Sequence, residues 1–272
     1  MKYFIMALVV LIALMTGPEI YTNWRTNRDL RQKTDISIAD LGATGRDAGN
    51  RDGHVEVRGV LQAFTTRDLY FLIGKEGLDP DLIYYWNWGG VPEATASALG
   101  IDRRHHFANS YLLGYQPFES EHVWVPLYTL TLRKRYQYDR LQYSGLQDVW
   151  QNSKQAFYYT RGDCEDHAII LADWLIAMGV DARVAVGAHR GQGHAWVVYF
   201  DRGKTYLLEA TSKKRVRRMG AIPLASMMTA YHPTHQFNRD NFWVNTGSPF
   251  TTRYDGPQWI LKSRFVASDD GE

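Results

Sequence analysis

Cysteine is nearly absent from the 272-residue sequence, with Cys164 as the single example. That excludes an internal disulfide framework and any multi-thiolate zinc or iron–sulfur site built from this chain alone. A surplus of one charge is missing too, because 31 Lys and Arg face 29 Asp and Glu and leave a net +2. A dedicated nucleic-acid binder needs a strong basic excess to neutralise phosphates, and an acidic disordered chain has the opposite imbalance, so neither class fits and no nucleic-acid partner is expected. No repeat period appears. Aromatic residues, by contrast, make up 14% of the chain, including 9 Trp and 17 Tyr. Each buries about 150–250 Å² when it enters a core. The length fits one large domain or two modest ones, at roughly 150 residues each.

The chain opens with Lys2 and then an uncharged, mostly apolar run over residues 3–15. A spanning helix needs about 20 residues, and extension through Ile20 and Tyr21 reaches that length only with Glu19 at the interface. No small-residue cleavage pair stands near Met15, Thr16 and Gly17. The expectation is an uncleaved signal anchor over residues 1–21, a hydrophobic helix with a membrane as partner and the rest of the chain periplasmic or at the cell surface; cleavage would make the protein secreted. Residues 22–50 are polar and read as a linker. Residues 51–126 form an N-terminal extension without an assigned role, in which 54–63 alternate like a strand and 68–73, 79–88 and 92–99 read as short helices. Tyr84, Tyr85, Trp86 and Trp88 read either as core or as the wall of a sugar or peptide groove. Two basic runs, one with Arg133, Lys134, Arg135 and Arg140 and one over residues 212–218, read as solvated faces, with anionic lipid headgroups as the sharper alternative.

Chemistry concentrates between residues 161 and 211. Asp163 is a good N-cap, Glu165 and Asp166 follow in a first turn, an apolar stretch runs from Ile169 to Met178, and Gly179 supplies the stop. Cys164 therefore begins a buried helix, where free N–H groups and the helix dipole favour a thiolate. Glu165 and Asp166 oppose this by like-charge repulsion, so a cationic imidazole is required. Residues 180–188, 194–200 and 205–211 read as three strands. His189 falls in a Gly-rich loop over 189–193, as a loop residue or substrate contact. If the reversal at Arg202-Gly203 holds two residues, or four counting its flanks, Phe200 pairs with Thr205, and His194 and Glu209 become diagonal neighbours on one face. The set is then that of a thiol acyl-transfer enzyme, with Cys164 as nucleophile, His194 as base and Glu209 as the acid orienting it. His167, one turn along from Cys164, is a rival base without an orienting partner. Gln155, Tyr158 and Tyr159 are candidate oxyanion donors beside the Cys164 N–H, with Gln155 preferred.

Gly162-Asp163-Cys164-Glu165-Asp166, Gly193-His194-Ala195-Trp196-Val197 and Leu208-Glu209-Ala210-Thr211, in this order and spacing, resemble the transglutaminase-like superfamily of papain-fold cysteine enzymes. The resemblance runs from about Leu127 to Thr211, with residues 138–157 similar to the family's helical lead-in. It implies an α+β fold with the nucleophile helix packed on an antiparallel sheet, a catalytic core over 127–225, and a C-terminal extension over 226–272 packing on it. It also implies a Cys164-His194-Glu209 triad, with Glu209 where Asp is common. Bacterial exported relatives act as cysteine proteinases, and in some of them acidic residues at the positions of Asp163 and Glu165 bind calcium. The expected function is amide hydrolysis on protein or peptide substrates, with no cofactor required by the chemistry and calcium at Asp163 and Glu165 as an addition. The alternatives are acyl transfer from glutamine to an amine and a silent binding or scaffold module on the same fold.

Overall fold

In the chain's computed structural model, the structure describes residues 48–79 and 81–268. The expected anchor helix, and most of the linker, lie outside the described residues. In chain order the strands are β1 (Gly53–Val57), β2 (Phe64–Thr65), β3 (Tyr84–Trp88), β4 (Val91–Gly100), β5 (His105–Phe107), β6 (Arg135–Tyr136) and β7 (Val149–Trp150). They continue as β8 (Arg161–Gly162), β9 (Asp181–His189), β10 (Gln192–Asp201), β11 (Lys204–Leu208), β12 (Tyr231–Phe237), β13 (Asn241–Asn245) and β14 (Trp259–Ala267). The helices are α1 (Thr66–Glu76), α2 (Trp124–Arg133), α3 (Asp139–Gln142), α4 (Ser153–Tyr158) and α5 (Cys164–Ala177). The class is α+β. An eight-stranded antiparallel sheet runs β11-β10-β9-β12-β13-β14-β1-β2, and α5 packs against β9 and β10. Strands from both ends of the described chain complete this sheet.

Two tight hairpins set the register that matters. Arg202 and Gly203 have φ of +47° and +72°, the positive-φ pair of a two-residue turn whose twist matches its strands. Phe200 therefore pairs with Thr205, and Val197 with Leu208. Arg190 and Gly191, with φ of +53° and +80°, make the same kind of turn between β9 and β10. The expected five-residue loop is thus only two residues long, and His189 pairs with Gln192 across it.

Helix α5 is apolar on nearly every side, with Ile169, Ile170, Leu171 and Trp174 all fully buried. It ends before Gly179, whose φ of +80° suits glycine. Asp163 holds the N-cap position but makes no side-chain cap bond, so its carboxylate is free for another role.

Residues 79–88 and 92–99 correct the expected helices, because they hold β3 and β4. The aromatic run of β3 suits a pleated surface, and Gly89 and Gly90, with φ of +56° and +81°, reverse the chain into β4. Thr95 to Leu99 are buried between β3 and β5, so tertiary burial overrides the helix propensity of their alanines. The expected helix over 68–73 is present as the longer α1, started by a Thr65–Asp68 capping box. The lead-in over 138–157 is broken into α3, β7 and α4.

Candidate active site

Cys164 opens α5 where that helix meets β10. The backbone N–H of Ala195 bonds the sulfur and favours its charged form, while the thiol donates to Glu165 Oε2 at 3.3 Å. Burial, followed by the charge of Asp163, pushes the thiol up to about 12. In this arrangement the sulfur is protonated. One residue before Ala195, His194 places Nε2 2.9 Å from Oε2 of Glu209, so that nitrogen carries the proton. Cys164 and His194 line one cleft of about 540 Å³, walled by Tyr85, Tyr136, Tyr138 and Trp150.

Glu209 is fully occupied. Its Oε1 accepts from the N–H and hydroxyl of Thr211 at 3.0 and 2.6 Å, and its Oε2 accepts from His194 and from the Tyr231 hydroxyl at 2.7 Å. Burial alone would raise its pKa, but the bond and charge of His194, with the Thr211 and Tyr231 bonds, pull it down to about 2. Thr211 belongs to the sequence motif. Tyr231, on β12, comes from outside the sequence blocks and had no signal pointing to it.

A second acidic group lies beside the sulfur. Carboxylate oxygens of Asp139, Asp163, Glu165 and Asp166 all fall within 4.8 Å of one another. Asp139 Oδ2 accepts from Val149 N–H at 2.6 Å and Asp166 Oδ1 from Gln151 N–H at 2.7 Å, yet each of the four residues keeps one buried oxygen without any hydrogen-bond partner. Gly162 is required here, since a Cβ at that position would collide with Asp166 Oδ2. Burial raises all four carboxyls, reinforced by their mutual repulsion, with Asp139 reaching about 10. Nearby Lys134, itself buried and lowered to about 8 by desolvation, donates to the carbonyls of Ala156 and Tyr159. Four buried carboxylates with orphaned oxygens form an all-oxygen donor set that fits calcium, which takes six to eight oxygens with water completing the shell. Asp163 and Glu165 are the pair expected at a calcium site, and Asp166 and Asp139 lie in the same group.

Two expected roles change. Gln155 Oε1 accepts from Asn152 N–H at 3.0 Å and its Nε2 donates to the Ala48 carbonyl at 3.0 Å, so its side chain caps α4 and lines a cavity other than the Cys164 cleft. His167, the rival base, is fully buried and donates from Nδ1 to the Asp163 carbonyl at 2.6 Å, and burial holds it well below its usual pKa. Of the aromatic quartet, Tyr85 faces the cleft, whereas Trp86 is core and Trp88 stacks on Phe64 at 4.3 Å. Lys134 leaves its basic run for the interior, so that run is not a uniformly solvated face.

Residues 148–259, from the residue before β7 to the first residue of β14, match the family described as CEP76 peptidase-like domain. Curated relatives include Centrosomal protein of 76 kDa from Xenopus tropicalis, 42% identical over 55 residues, which are 20% of this chain and 8% of the relative. The Xenopus laevis protein of the same name is 51% identical over 39 residues, 14% of this chain and 6% of the relative. The chain therefore spans less than a tenth of the length of these relatives. Similar solved structures include Legionella pneumophila LapG, with a TM-score of 0.38 and 22% identity over 52% of this chain and 75% of that one. Calcium-bound LapG gives a TM-score of 0.38 and 20% identity over 56% and 81%. The expected membrane-anchored, periplasmic or cell-surface placement is corrected here. The curated relatives are named as centrosomal proteins, and no helix among the described residues is long and apolar enough to cross a membrane. The signal anchor and the membrane partner are withdrawn with that placement. What the comparisons support is a peptidase-like domain over residues 148–259.

Proposed function

We propose that this chain is a thiol-dependent amide hydrolase, a cysteine peptidase acting on protein or peptide substrates through Cys164, His194 and Glu209. The observation that carries the reading is the junction of α5 and β10, where the Ala195 N–H meets the Cys164 sulfur and the neighbouring His194 is held at 2.9 Å by Glu209. The match to a peptidase-like family over the same residues supports it.

In the proposed reaction the sulfur attacks the amide carbonyl carbon, and the thiol proton passes to His194. The oxyanion forms near the Cys164 N–H at the start of α5. His194 then returns the proton to the leaving nitrogen as the C–N bond breaks, which leaves a thioester on Cys164. Water attacks the thioester with His194 as base, releasing the acid and restoring the thiol. Glu209 keeps His194 in one tautomer and stabilises its cation. Asp139, Asp163, Glu165 and Asp166 would hold calcium, whose chemistry is to supply the positive charge that these buried carboxylates lack.

Hydrolysis of a quenched fluorescent peptide library, with and without calcium, tests the reading. Cys164→Ala should abolish turnover in a protein that still folds, and turnover at the native rate in that variant would end the proposal. Including a labelled amine separates hydrolysis from transfer, because incorporation exceeding hydrolysis would select the acyltransferase.

A further inference from the structure

At the turn end of the β9–β10 hairpin, a second set of ligand-type side chains converges, distinct in chemistry from the four carboxylates. One ring nitrogen each of His189 and His194 and one carboxylate oxygen of Glu209 lie within 4.8 Å of one another. The three residues stand on three adjacent pieces of the sheet: the last residue of β9, β10, and the residue after β11. Their placement is firm. His189 is paired to Gln192 across a two-residue turn and to Tyr231 on β12, and its ring stacks on Tyr231 with centroids 4.1 Å apart and planes 7° from parallel. The His189 and His194 ring centroids are 5.4 Å apart. His189 is influenced only by partial burial and by nearby charges, without a hydrogen bond, so its ring nitrogens are uncommitted among the described residues.

We infer that His189, His194 and Glu209 form a Zn²⁺ site that inhibits the proposed catalytic centre. The inference rests on the assignment of His194 and Glu209 to that centre. Two imidazoles and a carboxylate suit zinc, with a fourth position left for water. Calcium prefers oxygen ligands only, so the two clusters beside Cys164 sort ions by ligand type. Zinc bonds of about 2.0–2.2 Å place tetrahedral ligand atoms roughly 3.4 Å apart, so the three donors need shifts of the order of 1 Å, within reach of side-chain rotation. Glu209 is already ionised and needs no deprotonation before it binds. If the metal takes the His194 nitrogen that now bonds Glu209, the proton of that nitrogen moves to Nδ1 and the metal replaces the hydrogen bond, so neither ring nitrogen keeps a free lone pair. His194 can then neither accept a proton from Cys164 nor return one. His189 belongs to the metal set and has no step in the hydrolysis.

The test is titration of ZnCl₂ into the full chain in excess calcium, against a chromophoric zinc chelator, in the native protein and in Cys164→Ala, His189→Ala and His189→Phe. The phenylalanine variant retains a ring to stack on Tyr231 and lacks the nitrogen, so a loss shared by both His189 variants is a loss of ligation and not of packing. The native protein and Cys164→Ala should take up one zinc with equal affinity, and both His189 variants should bind at least about tenfold more weakly, the scale on which even outer-shell partners act. In the peptide assay, the zinc concentration that halves each protein's own rate should rise by the same factor in the His189 variants. Affinity within twofold of native in both variants would overturn the inference, as would loss of zinc uptake in Cys164→Ala, which would move the metal to the thiol. Zinc uptake needs no substrate, so a chain that binds zinc through His189 but hydrolyses nothing would fail the functional reading and keep the metal site. A chain that hydrolyses peptides but takes up no zinc would do the reverse.

Discussion

The two carboxylate settings that flank Cys164 solve the same problem in opposite ways. Glu209 is brought into a mostly buried corner with four donors waiting for its two oxygens, and it stays ionised, at about 2. Asp139, Asp163, Glu165 and Asp166 enter a more deeply buried place with one oxygen apiece left bare, and burial with their mutual repulsion drives them toward the neutral form. Hydrogen bonds from protein alone complete the first setting, whereas the proposed calcium would complete the second. The difference teaches that burial does not by itself set the charge of a carboxylate; the donors that reach it and the charges beside it also decide.

The largest expected effect comes from removing the charge in the completed setting. Glu209→Gln should lower peptide hydrolysis by a factor of the order of 10²–10⁴ and leave a measurable remainder, because the residue orients His194 without bonding to substrate. Loss as complete as in Cys164→Ala, in a folded protein, would show that Glu209 does more than orient. The four-carboxylate setting should respond next. Calcium at a hundred times its dissociation constant stabilises by about 2.7 kcal/mol, which for a chain of this size is roughly 5–10 °C in melting temperature. Asp166→Asn should remove most of that gain, and a native protein whose melting point ignores both calcium and EGTA would break the comparison. A smaller effect belongs to Tyr231→Phe. It deletes one of the four bonds to Glu209, a bond to a charged group worth about 1.5–3 kcal/mol, and should cost about tenfold in kcat with little change in KM.

The smallest effect is a pair of pH slopes of opposite sign. The folded-state pKa of Glu209 is depressed, so its contribution to stability is complete above the ordinary carboxylate value of about 4.5 and fades as pH falls toward about 2. The four clustered carboxyls are raised, so without calcium the folded state holds protons that the unfolded state releases, and stability falls as pH rises from about 4. Melting temperature followed from pH 5 to 8 in EGTA should therefore decline, and saturating calcium should flatten the decline. A profile that rises in EGTA would contradict the assignment of those carboxyls as protonated.

Most of the proposed triad's surroundings could be read in the sequence, and the reason is local. Arg202-Gly203 is a turn dipeptide whose length fixes strand register, and register alone brings His194 to Glu209. Asp163 and Glu165 stood beside Cys164, so their chemistry was visible by adjacency. What stayed hidden depends on contacts between distant segments. Tyr231 reaches Glu209 from 22 residues away, and Asp139 joins the acidic group from 24 residues before Asp163. Gln155 misled for a related reason, because a polar residue shortly before the nucleophile also fits the N3 position of a capping box, and Asn152 claims it there. β4 misled through composition, since its alanines favour helix until two neighbouring strands bury them.

The central claim is that Cys164 is a nucleophile whose reactivity depends on His194. The most direct measurement is the rate at which iodoacetamide alkylates the chain's single thiol at pH 7 in saturating calcium, in the native protein and in His194→Ala, with melting temperature confirming that both are folded. A thiol paired with imidazole should react roughly tenfold or more faster in the native protein than in the variant. Equal rates, or a thiol inert in both, would contradict the account.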